Sequence, residues 1–332
     1  MSDLSQRTKN ILAMLTLYVV WGTTYLGIKV GLDADLPPAL FAAARLLPAA
    51  LIMFALARLR GSHLRVAPSE LRIISIAGLL LLVGGQYGTM VAEQFVPSGL
   101  SALIVALIPL WIALAESALP DMQRPSRLGW LGLAIGFSGL AILIWPRLAG
   151  TAAGPRELLG IGIQIVATWL WAAGSIFSKR NPVHTDGILV TAYEMLVAGG
   201  ITLVIGTLLG EWSSFDLTPK GVAAIAYLTI FGSCIAFSAF VYALAHMPAS
   251  KVMTYAYVNP VIAVFAGWFA GTVGLVPPEP VAISMLVGMV VIVMGVALTT
   301  TAPTLPPRRP PSSMRETLLA EEPLVEPEPS EI

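Results

Sequence analysis

The chain has 332 residues, 56% of them hydrophobic and only 11% charged, against about 25% charged in an average soluble domain. With a mean hydropathy of +0.81 it cannot wrap an apolar core in polar surface, so the class is a polytopic membrane protein. Nineteen basic and nineteen acidic residues cancel, which argues against a nucleic-acid surface. The single Cys234 rules out an intramolecular disulfide framework, and His63, His184 and His246 are too scattered for a metal-ligand pattern. Neither a metal nor another cofactor is called for.

A spanning helix needs about 20 mainly apolar residues. The stretches that qualify are 10–31, 38–58, 71–92, 98–117 and 127–146, then 157–178, 187–209, 219–244, 249–272 and 280–300. The expected fold is therefore all-α with ten transmembrane helices. The first stretch exceeds the about 7–15 residues of a signal-peptide core, so it is read as a retained span. Residues 301–332 carry eight prolines and six glutamates, the composition of a disordered tail.

With Met1 on the cytoplasmic side, 14 basic residues fall in cytoplasmic segments and three (Arg147, Arg156 and Lys220) on the other side. That asymmetry puts both termini in the cytoplasm. An offset near 150 relates the two sets of spans. Trp21 with Lys29 eight residues on recurs as Trp171 with Lys179, and Pro97 with Pro109 recurs as Pro248 with Pro260. Gly132 and Gly139 share their spacing with Gly288 and Gly295. Because five is odd, the second set enters the bilayer from the opposite face. The expected organisation is a cytoplasmic 1–9, a first five-helix repeat 10–150, an inverted second repeat 151–300 and the tail.

Pro109 and Pro260 each remove a backbone donor in mid-span and crowd the carbonyls of Val105 and Ala256. Interrupted helices at the midplane expose polar backbone to a cavity, so both prolines are candidate hinges. At helical spacing, Tyr18, Trp21 and Tyr25 share one stripe, and Gln164, Thr168, Trp171, Ser175 and Ser178 another. Such stripes either hydrogen-bond between packed helices or line a cavity. Paired tryptophans suit amphipathic or aromatic solutes. The third span offers Gln86, Met90 and Glu93 on one face with Tyr87 adjacent, and the eighth offers Ser233, Phe237 and Tyr242. Glu93, at a span end, fits a solvated interfacial residue better than a buried one.

Arg45 and Glu194 sit seven or eight residues inside their spans, where a charge needs a partner or water. Arg45 either snorkels or attracts an anionic group of the cargo, and Glu194 is either a neutral hydrogen-bonded acid or the candidate for proton coupling. Lys29 and Lys179 read as anchors near span ends. Gly129, Gly132, Gly136, Gly139, Gly288 and Gly295 give small-residue faces for close helix contact, and a homodimer through them stays open. No HExxH, GxSxG, phosphate-loop or complete GxGxxG pattern occurs, and no buried Asp pair or His cluster, so the chain is not read as an enzyme.

The stretch Trp21–Lys29, the arginine at Arg45, and the run from Val96 to Ile104 ending at Pro109 resemble the EamA-type drug/metabolite transporters, with a looser echo through Trp171, Pro248 and Asn259-Pro260. The resemblance covers residues 10–300. It implies ten spans as two inverted five-helix repeats and a secondary carrier of the bacterial inner membrane that exports amino acids, other metabolites or toxic compounds. It also implies a central cavity in which Trp21, Tyr25, Tyr87, Trp171 and Phe237 would stand. The acidic residue frequent near the start of the family's last span has only Glu279 here, at a Pro-rich edge. The expected activity is export of small metabolites, amino acids first, by alternating access. The competing readings are a broad exporter of amphipathic toxic compounds and an uncoupled channel or scramblase.

Overall fold

Prolines and side-chain caps set where the helices begin. In a computed structural model, which describes residues 5–96, 101, 104–148, 155–273 and 283–307, Ser5 opens α1 (Gln6–Leu32) by accepting from Thr8 N at 3.2 Å. Pro38, Pro68, Pro155 and Pro219 are the first residues of α2 (Pro38–Leu59), α3 (Pro68–Ala92), α6 (Pro155–Arg180) and α8 (Pro219–His246). There the missing N–H costs nothing, because the first turn has no intrahelical acceptor for it. Ser126 caps α5 (Arg127–Leu148), Asp186 caps α7 (Gly187–Leu208) and Thr218 caps α8. The remaining helices are α4 (Ile108–Ala118), α9 (Ala249–Thr272) and α10 (Ile283–Thr301).

Seven of these helices, α1 to α3 and α6 to α9, are long and apolar enough to cross a membrane, while α4 and the Leu286–Thr301 part of α10 are shorter apolar helices. This is an all-α polytopic membrane protein. Large apolar side chains face outward along it, among them Leu51, Trp169, Phe269 and Val290, each more than 60% exposed, as expected of a surface that lipid solvates.

The helices depart from regularity where the sequence suggested interruptions, but not at the prolines themselves. α4 begins with Ile108 and Pro109 in its first turn, after a break at residues 106–107. α9 breaks at Met253–Thr254, and Pro260 is accommodated inside the continuous segment Tyr255–Thr272. Both breaks fall upstream of their proline; the one at 106–107 lies within the turn that Pro109 crowds, whereas the one at Met253–Thr254 lies beyond Ala256, the residue Pro260 crowds. Three further helices contain π-helical stretches: Leu17–Trp21 in α1, Leu79–Tyr87 in α3 and Leu228–Phe237 in α8. The expected tail is partly built. Thr304–Leu305 (β2) pairs antiparallel with Arg124–Pro125 (β1), and Thr304 also bonds Gln123 at 3.0 Å. Pro97, Glu279 and the chain from residue 308 lie outside the described residues.

α2 packs along α7, and α5 along α10. α3 lies against α6, and α8 against α1; α4 touches α6, and α9 touches α1. The α5–α10 seam depends on bare glycine: a Cβ on Gly295 would run into the Gly136 backbone, and one on Gly139 would stand 2.7 Å from Ile292 N. The central apolar cluster gathers Leu17, Trp21, Leu81, Trp171, Phe237, Phe240 and Tyr255 from five helices.

Gly295→Ala is expected to destabilise the purified protein by about 1–3 kcal/mol, read as a lower thermal midpoint in detergent, whereas the same change at Gly162, which has open space around it, leaves the midpoint within error.

Candidate functional site

Two voids adjoin the central aromatic cluster. The inner one, of about 80 Å³, is lined by Trp21, Thr24, Tyr25 and Ile28 of α1, Gly85, Gln86 and Thr89 of α3, Ala167, Thr168 and Trp171 of α6, and Tyr255 and Asn259 of α9, closed by Val105 and Ile108. At that size it holds two or three waters at about 30 Å³ each, well below the roughly 300 Å³ and more of a ligand pocket. The outer one is a crevice of about 590 Å³ between α3, α6, α7 and α8, with Arg60, Asn181 and His246 at one end.

Aromatic rings fill the space between the two voids. The Trp21 ring lies 5.6 Å from Trp171, 4.8 Å from Tyr255 and 5.4 Å from Phe240, and Phe240 lies 5.3 Å from Trp171. The Trp21–Trp171 and Trp21–Tyr255 pairs are edge-to-face, the arrangement the ring quadrupoles favour. Phe240 also lines the crevice, so this one ring borders the outer void on one side and the cavity tryptophans on the other. The approach of α6 to α3 that brings Trp171 here needs Gly85, because a Cβ there would lie 2.7 Å from the indole.

Neutral polar groups border the inner void. Gln164 donates to Thr89 Oγ1 at 3.0 Å and accepts from Ser101 at 3.0 Å, and Ser101 also reaches Glu93 at 3.4 Å. Asn259, with its amide turned to satisfy both neighbours, donates to the carbonyls of Tyr18 at 3.3 Å and Tyr255 at 3.0 Å. Trp21 Nε1 donates to Gly232 O at 3.2 Å in the π-helical stretch of α8. Among the described residues, no charged side chain lines the inner cavity.

Of the residues singled out in the sequence for cargo, Trp21, Tyr25, Gln86 and Trp171 come together in this lining. The other six stand elsewhere. Tyr18 bonds Thr254 through its hydroxyl at 2.9 Å, and Ser175 bonds the Trp171 carbonyl at 2.7 Å. Phe237 is buried behind Phe240 at 5.8 Å. Met90 and Tyr87 pack with Ile28, Phe41 and Leu228.

Arg45 is 2% exposed and lines neither void. Its stripe of α2 faces α8: Thr229 donates to the Arg45 carbonyl, Cys234 to that of Ala49, and Ser238 reaches Met53. No ion pair joins Arg45 to Glu194 among the described residues. Glu194 is also 2% exposed, lies against Gly78 and borders the crevice, and its Oε2 has no partner. Lys29 pairs with Asp33 at 2.7 Å on the surface.

Thr24, Thr89, Tyr255 and Asn259 line the cavity without having been singled out for it, and Phe240 borders it. The Asn259-Pro260 pair was the available signal for two of them. A third buried charge, Glu116 at 1% exposure, carries no sequence signal near the end of α4; it accepts from Ser250 N at 3.2 Å and so caps the start of α9.

The EamA-like transporter family model matches residues 8–145 and again residues 158–301. The uncharacterized inner membrane transporter YedA of Escherichia coli is 34% identical over 281 residues, 85% of this chain and 89% of that protein. The uncharacterized transporter YoaV of Bacillus subtilis is 24% identical, over 88% of this chain and 97% of its own. A solved crystal structure superposes with a TM-score of 0.71 at 20% identity, covering 89% of this chain and 97% of the other, a likeness of fold.

Gln164→Leu strands Thr89 and Ser101 without their shared partner. The expected loss is about 1–3 kcal/mol, measured as a lowered thermal midpoint; an unchanged midpoint would show that water replaces the amide.

Proposed function

The chain belongs to the EamA-like transporter family, and from that footing we propose that it is a secondary transporter which exports small metabolites, amino acids first, by alternating access. The observation that carries the reading is the unequal pair of voids. A crevice of about 590 Å³ has Arg60 and His246 at one end, and a neutral aromatic cavity of about 80 Å³ lies across the Trp21, Trp171 and Phe240 rings from it. A carrier must close its site on one side before opening it on the other, and rings that part by rotation do this without breaking a helix.

Ten spans in two inverted repeats, residues 10–150 and 151–300, make up the proposed frame. Exchanging the first five helices for the last five turns α3–α6 into α8–α1 and α4–α6 into α9–α1, and leaves α2–α7 and α5–α10 as they are. The π-helical stretches Leu79–Tyr87 and Leu228–Phe237 stand at matching places in α3 and α8. These correspondences support a two-fold relation in the membrane plane. Both termini would be cytoplasmic, by the distribution of basic residues, and the crevice would then face inward. Pro109 and Pro260 would act as hinges through the breaks just before them, and Glu194 as the proton-coupling group.

The lining favours a second cargo class as well. With aromatic rings and uncharged donors but no charge in the inner cavity, amphipathic toxic compounds would bind without help from Arg45.

The test is flux of a labelled amino-acid panel in proteoliposomes with and without a proton gradient. Saturable flux that falls about tenfold or more in Trp171→Ala is the expected result. Flux that does not saturate would replace the carrier with a channel or scramblase, and flux of amphipathic compounds alone would move the cargo to that class.

A further inference from the structure

The crevice between α3, α6, α7 and α8 contains two polar atoms that nothing in the protein satisfies: Glu194 Oε2 and Ser178 Oγ, both buried and both on residues that line it. A buried acceptor without a donor is destabilising, and more so when charged. Protonating Glu194 exchanges an orphan acceptor for an orphan donor and leaves the deficit in place. Glu194 Oε2 lacks a donor, and the crevice is the void its residue borders.

The other ionisable groups on this crevice already have partners or sit at its mouth. Lys179 Nζ donates to the Leu244 and Met247 carbonyls at 2.7 and 2.8 Å. Asp186 caps α7 and accepts from Ser62 at 3.3 Å. His246 Nδ1 meets the Tyr242 carbonyl at 2.8 Å, and the ring stacks on Tyr242. Arg60 stands exposed at the end of α2. From α3 the walls are apolar, with Leu81 and Ala77 among them, and α8 presents Phe240. Arg45, the remaining charge on a helix packed against α7, is buried and borders no part of the crevice.

We propose that this crevice is the entry site for cargo bearing a primary ammonium group on an apolar body, with Glu194 as its counter-charge and Phe240 as the apolar face. The idea rests on the transporter reading and names the chemistry its inward site selects. A bare metal ion fits poorly, since hard cations take six or more oxygens and no cluster of three acidic, His or Cys residues occurs among the described residues. An ammonium offers three donors and leaves its body to the walls. Cargo and proton then exclude each other: the ammonium binds the carboxylate, so any proton on Glu194 must leave before cargo enters and can return when cargo departs toward Trp21 and Trp171. The shared chemistry admits amino acids and simple amines alike.

The experiment is calorimetric binding to the purified full-length protein in lipid nanodiscs, with phenethylamine, L-phenylalanine and 3-phenylpropionate as probes. The expected result is binding of one or both of the two ammonium compounds and none of the propionate, with affinity falling as the pH is lowered. Preference for phenylalanine assigns amino acids, and preference for phenethylamine assigns amines. Glu194→Gln should weaken binding about tenfold or more and abolish its pH dependence, while Glu194→Asp keeps part of both. Binding of the propionate as tight as that of the amine, no binding of either ammonium compound, or an unaltered Glu194→Gln, overturns the proposal.

A measurement on the unmutated protein guards against a misfolded variant. Modification of Glu194 by an apolar carbodiimide, read by peptide mass spectrometry, should slow when the bound ammonium compound is present. An unslowed reaction also overturns the site. Ammonium binding without any flux in proteoliposomes would sink the export reading and leave the site standing, and flux without ammonium binding would do the reverse.

Discussion

Backbone groups that a helix cannot satisfy for itself need a partner inside the protein, because hydrocarbon supplies none. This protein breaks or ends several helices near the cavity, and at four such places a side chain takes a freed backbone group. Glu116 takes the Ser250 N–H where α9 starts, and Lys179 takes the Leu244 and Met247 carbonyls where α8 ends. Asn259 takes the Tyr18 and Tyr255 carbonyls beside the α1 π-turn, and Lys251 takes the Thr300 carbonyl at the end of α10. These residues do not line the cavity as a set, yet they let irregular backbone exist beside it.

Close approach is the second condition. Gly85 admits the Trp171 ring to α3, Gly78 admits Glu194, and the α5–α10 seam has no room for a methyl group. Because the helices meet at backbone distance, four aromatic rings from α1, α6, α8 and α9 converge, with Trp21 5.6, 5.4 and 4.8 Å from Trp171, Phe240 and Tyr255. The same rings stand between the inner cavity and the crevice, which Phe240 also lines.

Helical periodicity grouped Trp21 with Tyr25 on α1 and Thr168 with Trp171 on α6, which share the cavity lining, but on α3 it grouped residues the structure separates. Gln86, Met90 and Glu93 fall on one face at 3.6 residues per turn, yet Gln86 shares the cavity with Gly85 and Thr89 while Met90 is buried against Phe41. The π-helical stretch Leu79–Tyr87 explains it. Each i→i+5 bond adds a residue to the turn and rotates every later side chain about the helix axis. Ser175 is a related case: it shares the Trp171 stripe but bonds back to the Trp171 carbonyl within its own helix, a bond serine makes without any tertiary partner.

Composition and hydropathy alone determined the membrane class, the apolar stretches and the absence of soluble-enzyme motifs, because burial in lipid needs only runs of apolar side chains. The 150-residue offset, the paired tryptophans and the Asn259-Pro260 step were also legible, since a residue pattern and its spacing are read along the chain without knowing which helices touch. Tertiary structure decided the rest: that Arg45 is buried away from both voids, that Phe240 stands between them, that Glu116 caps a helix, and that Glu194 borders the crevice with an unpartnered oxygen. Each depends on which helix lies across from which and on rotation at π-turns, and neither is encoded in the spacing of residues along one chain segment.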